Sequence, residues 1–140
     1  MSKLAEHAKA LKALDGKNID AGWFENARYP GGQSVAAVMV ANEFGTKTAV
    51  ARPLLRQSAE QIDQKIPGYI ARRTTEILSG NLTPDNYLEK MGEAIVATIL
   101  ATLKAGNFED NKESTIKQKG FNRPLVNTSV LGQSVTHRVS

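Results

Sequence analysis

The chain has 140 residues, 41% of them hydrophobic, 23% charged and only 6% aromatic, with no cysteine and a net charge of +4. That length suits one domain built on an aliphatic core, and the missing cysteines exclude disulfides, thiolate metal sites and cysteine nucleophiles together. No apolar run approaches the ~18 residues of a membrane span, and no signal peptide opens the chain, so no membrane partner and synthesis in a cytoplasm are expected.

The first element suggested by the pattern is a helix over 3–14, "KLAEHAKALKAL", with Leu4, Ala8 and Leu11 beside Ala5, Ala10 and Leu14, stopped by Asp15-Gly16. "NIDAGWF" then alternates, with Ile19, Ala21 and Trp23 on one side, as a half-buried strand does. Pro30-Gly31-Gly32 reads as a turn. "SVAAVMVANEF" has the valines of a strand, but Ser34 suits an N-cap and Gly45 a C-terminal stop, which favours a helix. From Pro53 to Ser79 the positions Ile62, Ile66, Tyr69, Ile70 and Ile77 keep helical spacing, with Pro67-Gly68 expected to kink or break the helix near Ile66. In "TPDNYLEKMGEAIVATILATLKAG" Thr83 caps, Pro84 takes the first helical position and Asp85 meets the dipole. Leu88, Met91, Ile95, Ile99 and Leu103 form its core stripe, and Gly106 closes it. The polar stretch beyond, with Gly120 and Pro124, reads as a long loop over 107–124. "SVTHRV" alternates as a closing strand, with Val135, His137 and Val139 on one face. Strands near both ends with helices between them predict an α+β fold: one domain over 1–140, its small antiparallel or mixed sheet packed on long helices, its N-terminal helical segment within 1–17.

No constellation for chemistry assembles along the chain. His7 and His137 lack a second histidine or a carboxylate at ligand spacing, and read as surface or edge residues. Ser129 and Ser134 have no nucleophile elbow, and Gly31-Gly32 is not followed by the Gly-Lys-Ser/Thr of a phosphate loop. Glu89 and Glu93 fall one turn apart on a polar helix face. No catalytic residue, cofactor or metal is therefore expected. Nucleic-acid binding has thin support: Lys47, Arg52, Arg56, Lys65, Arg72 and Arg73 outnumber Glu60 and Asp63, but few aromatics are present to stack bases. The charge excess falls entirely in 114–140, where Lys117, Lys119, Arg123 and Arg138 stand without any acid. Such a segment suits an acidic partner surface, nucleic acid or plain solvation.

The segment "ANEFGT", Ala41–Thr46, poses a physical problem. Glu43 falls in the last turn of its helix, where the macrodipole disfavours a carboxylate, so something must offset that cost. Arg52, Arg56 and the N–H groups of the 46–52 loop are the candidates. A Glu43–Arg52 tie across the loop is expected, with Gly45 as stop and Pro53 starting the next helix. The four residues then make a structural corner.

"VANEFGT" followed by "ARPLLRQS" resembles the "NEFGT…ARPFLR" signature of bacteriophage tail-completion proteins, the neck and minor-tail family of long-tailed phages. "STIKQKGFNRPLVNTSVLGQSVTHRV" is similar to the same family's ending, and "DAGWFENARYPGG" to its first strand and turn, so the likeness spans most of 18–140. Asn127-Thr128-Ser129 departs from the family's usual Asp-Thr-Gly, and Leu54-Leu55 stands where a phenylalanine usually follows the proline. The resemblance implies a virion structural protein without enzymatic activity. It would complete the tail tube and join it to the head connector, as a ring of its own copies, commonly six. Tail-tube or terminator proteins and head-connector proteins would be its partners, with nonspecific contact to DNA in the lumen. A ring needs head-to-tail contacts; loops carrying Thr46, Lys47 and Thr48, and Lys117, Lys119 and Arg123, are the expected assembly surfaces. A small nonspecific nucleic-acid-binding or other structural protein is the alternative.

Overall fold

The computed structural model describes residues 3–48, 50–105 and 129–140. Among the described residues, five helices and two strands follow one another: α1 (Lys3–Lys12), β1 (Ile19–Gly22), α2 (Val35–Phe44), α3 (Leu54–Leu78), α4 (Pro84–Ala105), α5 (Ser129–Ser134) and β2 (Thr136–Val139). The fold is α+β, as expected, and its sheet is a two-stranded antiparallel ribbon pairing the two ends of the chain. Ala21 stands opposite His137 and Gly22 opposite Thr136, and the Asn18 and Ser140 backbones exchange both hydrogen bonds just beyond the ribbon.

Helix α4 is the spine. It starts as the sequence requires: the Thr83 hydroxyl accepts the Asn86 N–H at 3.2 Å and Pro84 occupies the first turn. Its apolar stripe then serves two clusters in succession. Leu88 and Met91 join Tyr87 and Ile77 in one; Ile99 and Leu103 join Val35, Met39, Leu54, Leu131 and Val135 in the other. The same helix packs against α3 and against both strands. Because the ribbon exposes only one face to α4, its side chains alternate along each strand between half-buried and outward. The Trp23 indole N–H donates to the Leu131 carbonyl at 3.0 Å, tying the end of β1 to α5.

Three expectations change. α1 ends at Lys12, and it buries none of its residues: Leu4 is 79% exposed, while only Ala10 and Leu14 reach the second cluster. Pro53 precedes α3 as its N-cap instead of opening it, with φ −80° and ψ 70°. α3 also runs unbroken through Pro67. Proline there deletes the bond to the carbonyl of Asp63, but both residues are exposed, so water can satisfy that carbonyl. Ile66 and Tyr69 on the opposite face stay packed against the second cluster. The 107–124 loop and the closing Gly106 lie outside the described residues.

A continuous α3 carrying Gly68 in an ordinary helical conformation, with open space where a Cβ would stand, makes a prediction. Gly68→Ala should raise stability by about 1 kcal/mol through reduced unfolded-state freedom. Thermal or urea unfolding checks it; a loss of stability would mean that α3 is not one helix there.

Candidate interhelical corner and its exposed apolar face

The α2–α3 corner collects the motif residues. Ser34 caps α2, its hydroxyl accepting the Ala37 N–H at 3.2 Å. At the other end Gly45 donates to the Ala41 carbonyl with φ 77° and ψ 173°, a combination open essentially to glycine alone. The chain then returns so that the Arg52 N–H meets the Asn42 carbonyl, and α3 begins at Leu54, which is fully buried.

Glu43 solves its dipole problem by serving the other helix. Its carboxylate, 5% exposed, accepts the N–H of Leu55 at 2.7 Å and that of Arg56 at 3.2 Å. These are donors of the first turn of α3, which has no side-chain cap of its own. A carboxylate on such N–H groups lies at the positive end of the dipole, where it is favoured. The Arg56 guanidinium completes the site: its Nε donates to the same carboxylate at 2.9 Å, and a terminal nitrogen donates to the Glu43 carbonyl at the negative end of α2. Arg56 also lies 5.5 Å above the Phe44 ring. The ion pair is thus with Arg56 and not with Arg52. Arg56 lies in the first turn of α3, on the side that faces α2, whereas Arg52 joins the corner through its backbone.

Burying Glu43 turns its neighbour outward. Phe44 is 71% and Val40 59% exposed, and with Leu55, Ala36, Met39 and Trp23 they line an open apolar groove of about 440 Å³. Thr46, Lys47 and Thr48 are exposed just beyond the helix, the Thr48 N–H donating to the Thr46 hydroxyl at 3.3 Å, and Thr46 lines a separate trough with Ala37, Val38 and Ala41. Lys117, Lys119 and Arg123 lie outside the described residues.

His137 is not an isolated edge histidine. Its Nε2 lies 2.8 Å from a Glu89 carboxylate oxygen, and its ring covers Gly92 so closely that an added Cβ would come within 2.1 Å of it. Glu89, expected on a purely solvated face, is therefore one end of a clamp holding β2 on α4. On the outer side of the ribbon Arg138 stacks 3.9 Å over the Phe24 ring and pairs with Glu25 at 3.0 Å. Glu25's own backbone N–H, and then Arg138, hold its carboxyl below the usual range. Of the six basic residues weighed for nucleic acid, Arg56 and Arg73 are engaged by carboxylates, Arg73 by Glu76 at 2.9 Å. Among the described residues no cluster of three or more potential metal ligands occurs, and no helix is long and apolar enough to cross a membrane.

No family model matches the chain, and no characterised protein or solved structure matches it either.

Two predictions follow from this geometry. Glu43→Gln should cost about 1–3 kcal/mol, because it weakens the cap on the first-turn N–H groups of α3 and leaves Arg56 without its anion. Arg56→Ala should cost about 1 kcal/mol, since that side chain is largely exposed. In a double-mutant cycle by urea unfolding, the pair should couple by about 1 kcal/mol, while Glu43→Gln with Arg52→Ala should add within about 0.5 kcal/mol. Separately, Gly92→Ala should cost about 1–3 kcal/mol by forcing the imidazole off its seat. Adding His137→Ala should recover most of that loss, and an undiminished loss in the double variant would sink the clash.

Proposed function

We propose that this chain is a virion structural protein of the neck or tail terminus of a long-tailed phage. It closes the tail tube and joins it to the head connector as a ring of identical subunits. The observation that carries the reading is the corner itself. Both halves of the stretch that resembles the tail-completion signature, Asn42–Thr46 and Ala51–Arg56, meet there, joined by the Glu43 carboxylate and Arg56. The signature is thereby read as a structural device that holds two helices at a fixed angle, which suits a protein without turnover.

A ring of identical subunits needs two unlike patches, complementary to each other and joined head to tail. The Val40–Phe44–Leu55 face is one such patch: apolar, contiguous and held by the rigid corner. The exposed Thr46–Thr48 turn, which follows Phe44 in the chain, would add polar contacts. Nonspecific nucleic-acid binding is less well supported, because Arg56 and Arg73 spend their charge on internal carboxylates.

Immunogold labelling or density mapping of intact phage particles containing this chain tests the proposal, with the chain expected at the head–tail junction. Its absence there would overturn the reading. Phe44→Glu should leave stability within about 0.5 kcal/mol, as for an exposed position, yet prevent incorporation into particles. Normal incorporation of that variant would remove the apolar face from the assembly contact.

A further inference from the structure

We propose that the groove between α3 and α4 docks an amphipathic helix of a partner protein, with acidic residues along the edge of that helix's apolar face. The inference is independent of the phage reading and concerns a groove with a separate set of lining residues from the Phe44 face.

The groove has a volume of about 300 Å³ and a floor of Ile62, Ile66, Ala94 and Ile95, with Thr98 at one end. Tyr69 closes the other, its hydroxyl donating to the Lys90 carbonyl at 3.0 Å. Two cations stand on its α3 rim, Lys65 and Arg72. They are seven residues apart, so they share one helix face two turns, about 10.5 Å, from each other. Both are exposed, and neither has a carboxylate partner among the described residues, although the adjacent Arg73 is paired with Glu76. Among the described residues no acid lines this groove; Glu60 belongs to the more polar trough next to it, which Lys65 also borders.

Arg72 lies 6.0 Å over the Tyr69 ring, and an apolar trough whose rim carries two cations without a carboxylate partner among the described residues selects its occupant by charge. A helix lying along α3 matches the rim with acids at positions i and i+7, while apolar residues at i+3 and i+4 fill the space over Ile66 and Ile95. Helix α1 of a second copy is a poor occupant. α1 does expose Leu4 and Leu11, but it carries Lys3, Lys9 and Lys12 against the single Glu6, and would meet Lys65 and Arg72 with like charge.

The test is an amide-shift titration of the full-length, nitrogen-15-labelled chain with two synthetic helical peptides. They share a leucine face and differ only in carrying glutamate or lysine at the two flanking positions seven residues apart. The glutamate peptide should shift amides within 62–72 and 94–98 and bind less tightly as salt rises. The double reversal Lys65→Glu with Arg72→Glu should weaken it about tenfold and transfer preference to the lysine peptide. An unchanged melting temperature would show that this variant is folded. Equal binding of the two peptides, shifts confined to the Phe44 face, or no shift up to about 1 mM peptide would each overturn the proposal. So would groove shifts produced by sodium dodecanoate but not by the peptide, which would assign the groove to an anionic amphiphile. Self-association of the chain abolished by Ile62→Glu would assign it to a second copy, with the same consequence.

Discussion

The exchange between Glu43 and Arg56 is the constraint on which the corner rests. Each residue sits at the wrong end of its own helix for its charge: a carboxylate in the last turn of α2, a guanidinium in the first turn of α3. Bringing the ends together converts two unfavourable placements into two favourable ones. The carboxylate meets the free N–H groups of α3, and the guanidinium meets the terminal carbonyl of α2. Left alone, each helix end would keep part-buried polar groups without protein partners, at a cost below the ~1–3 kcal/mol of a fully buried one. The corner is therefore cooperative: the angle between the helices, the burial of Leu54 and the cap of α3 form together or not at all. Ser58 reinforces the start of α3 from within, its hydroxyl donating to the Leu54 carbonyl at 2.7 Å.

A second constraint acts at the other end of the sheet. The ribbon pairs residues more than a hundred positions apart, and a two-stranded ribbon is marginal without support. Support comes from α4, whose Gly92 leaves room for the His137 ring to lie against the helix backbone, with Glu89 one turn earlier receiving its nitrogen. Gly92 is thus a packing residue in the middle of a helix. It accepts the lower helix propensity of glycine, about 1 kcal/mol against alanine, in return for seating the His137 ring against the helix.

What the sequence disclosed, and what it did not, divides along the reach of the interaction. Helix α2 was legible because Ser34 and Gly45 act within a turn of the residues they cap. α4 was legible through Thr83-Pro84 and a regular apolar stripe. The need for something to offset the Glu43 charge was legible too, since position in a helix fixes the sign of the dipole. The identity of the partner was not. Arg52 and Arg56 are both close in sequence, and choosing between them requires the rotation of the first turn of α3, which Leu54 sets by burying itself. The His137–Glu89–Gly92 clamp had no local signal, because His137 reaches Glu89 and Gly92 only through the packing of β2 on α4. Pro67 misled for a related reason. Proline's effect on a helix depends on whether the freed carbonyl faces water, and that is a property of the packed helix and not of the dipeptide.

The exposed apolar face follows from the same geometry that buries Glu43. Consecutive residues on a helix lie about 100° apart, so a terminal turn that aims position 43 at α3 must aim position 44 away from it. Phe44 is too large to be left in water without consequence, and it is stiffened by the guanidinium stacked above it. An aromatic ring presented by a rigid corner loses little freedom when another surface covers it, and that low entropic cost is what distinguishes a contact residue from an exposed side chain on a loose loop. The corner thus does two things with one set of bonds. It sets the angle between α2 and α3, and it holds an apolar side chain ready in a fixed direction. Any role for this chain in an assembly has to use that face or explain why it is left uncovered.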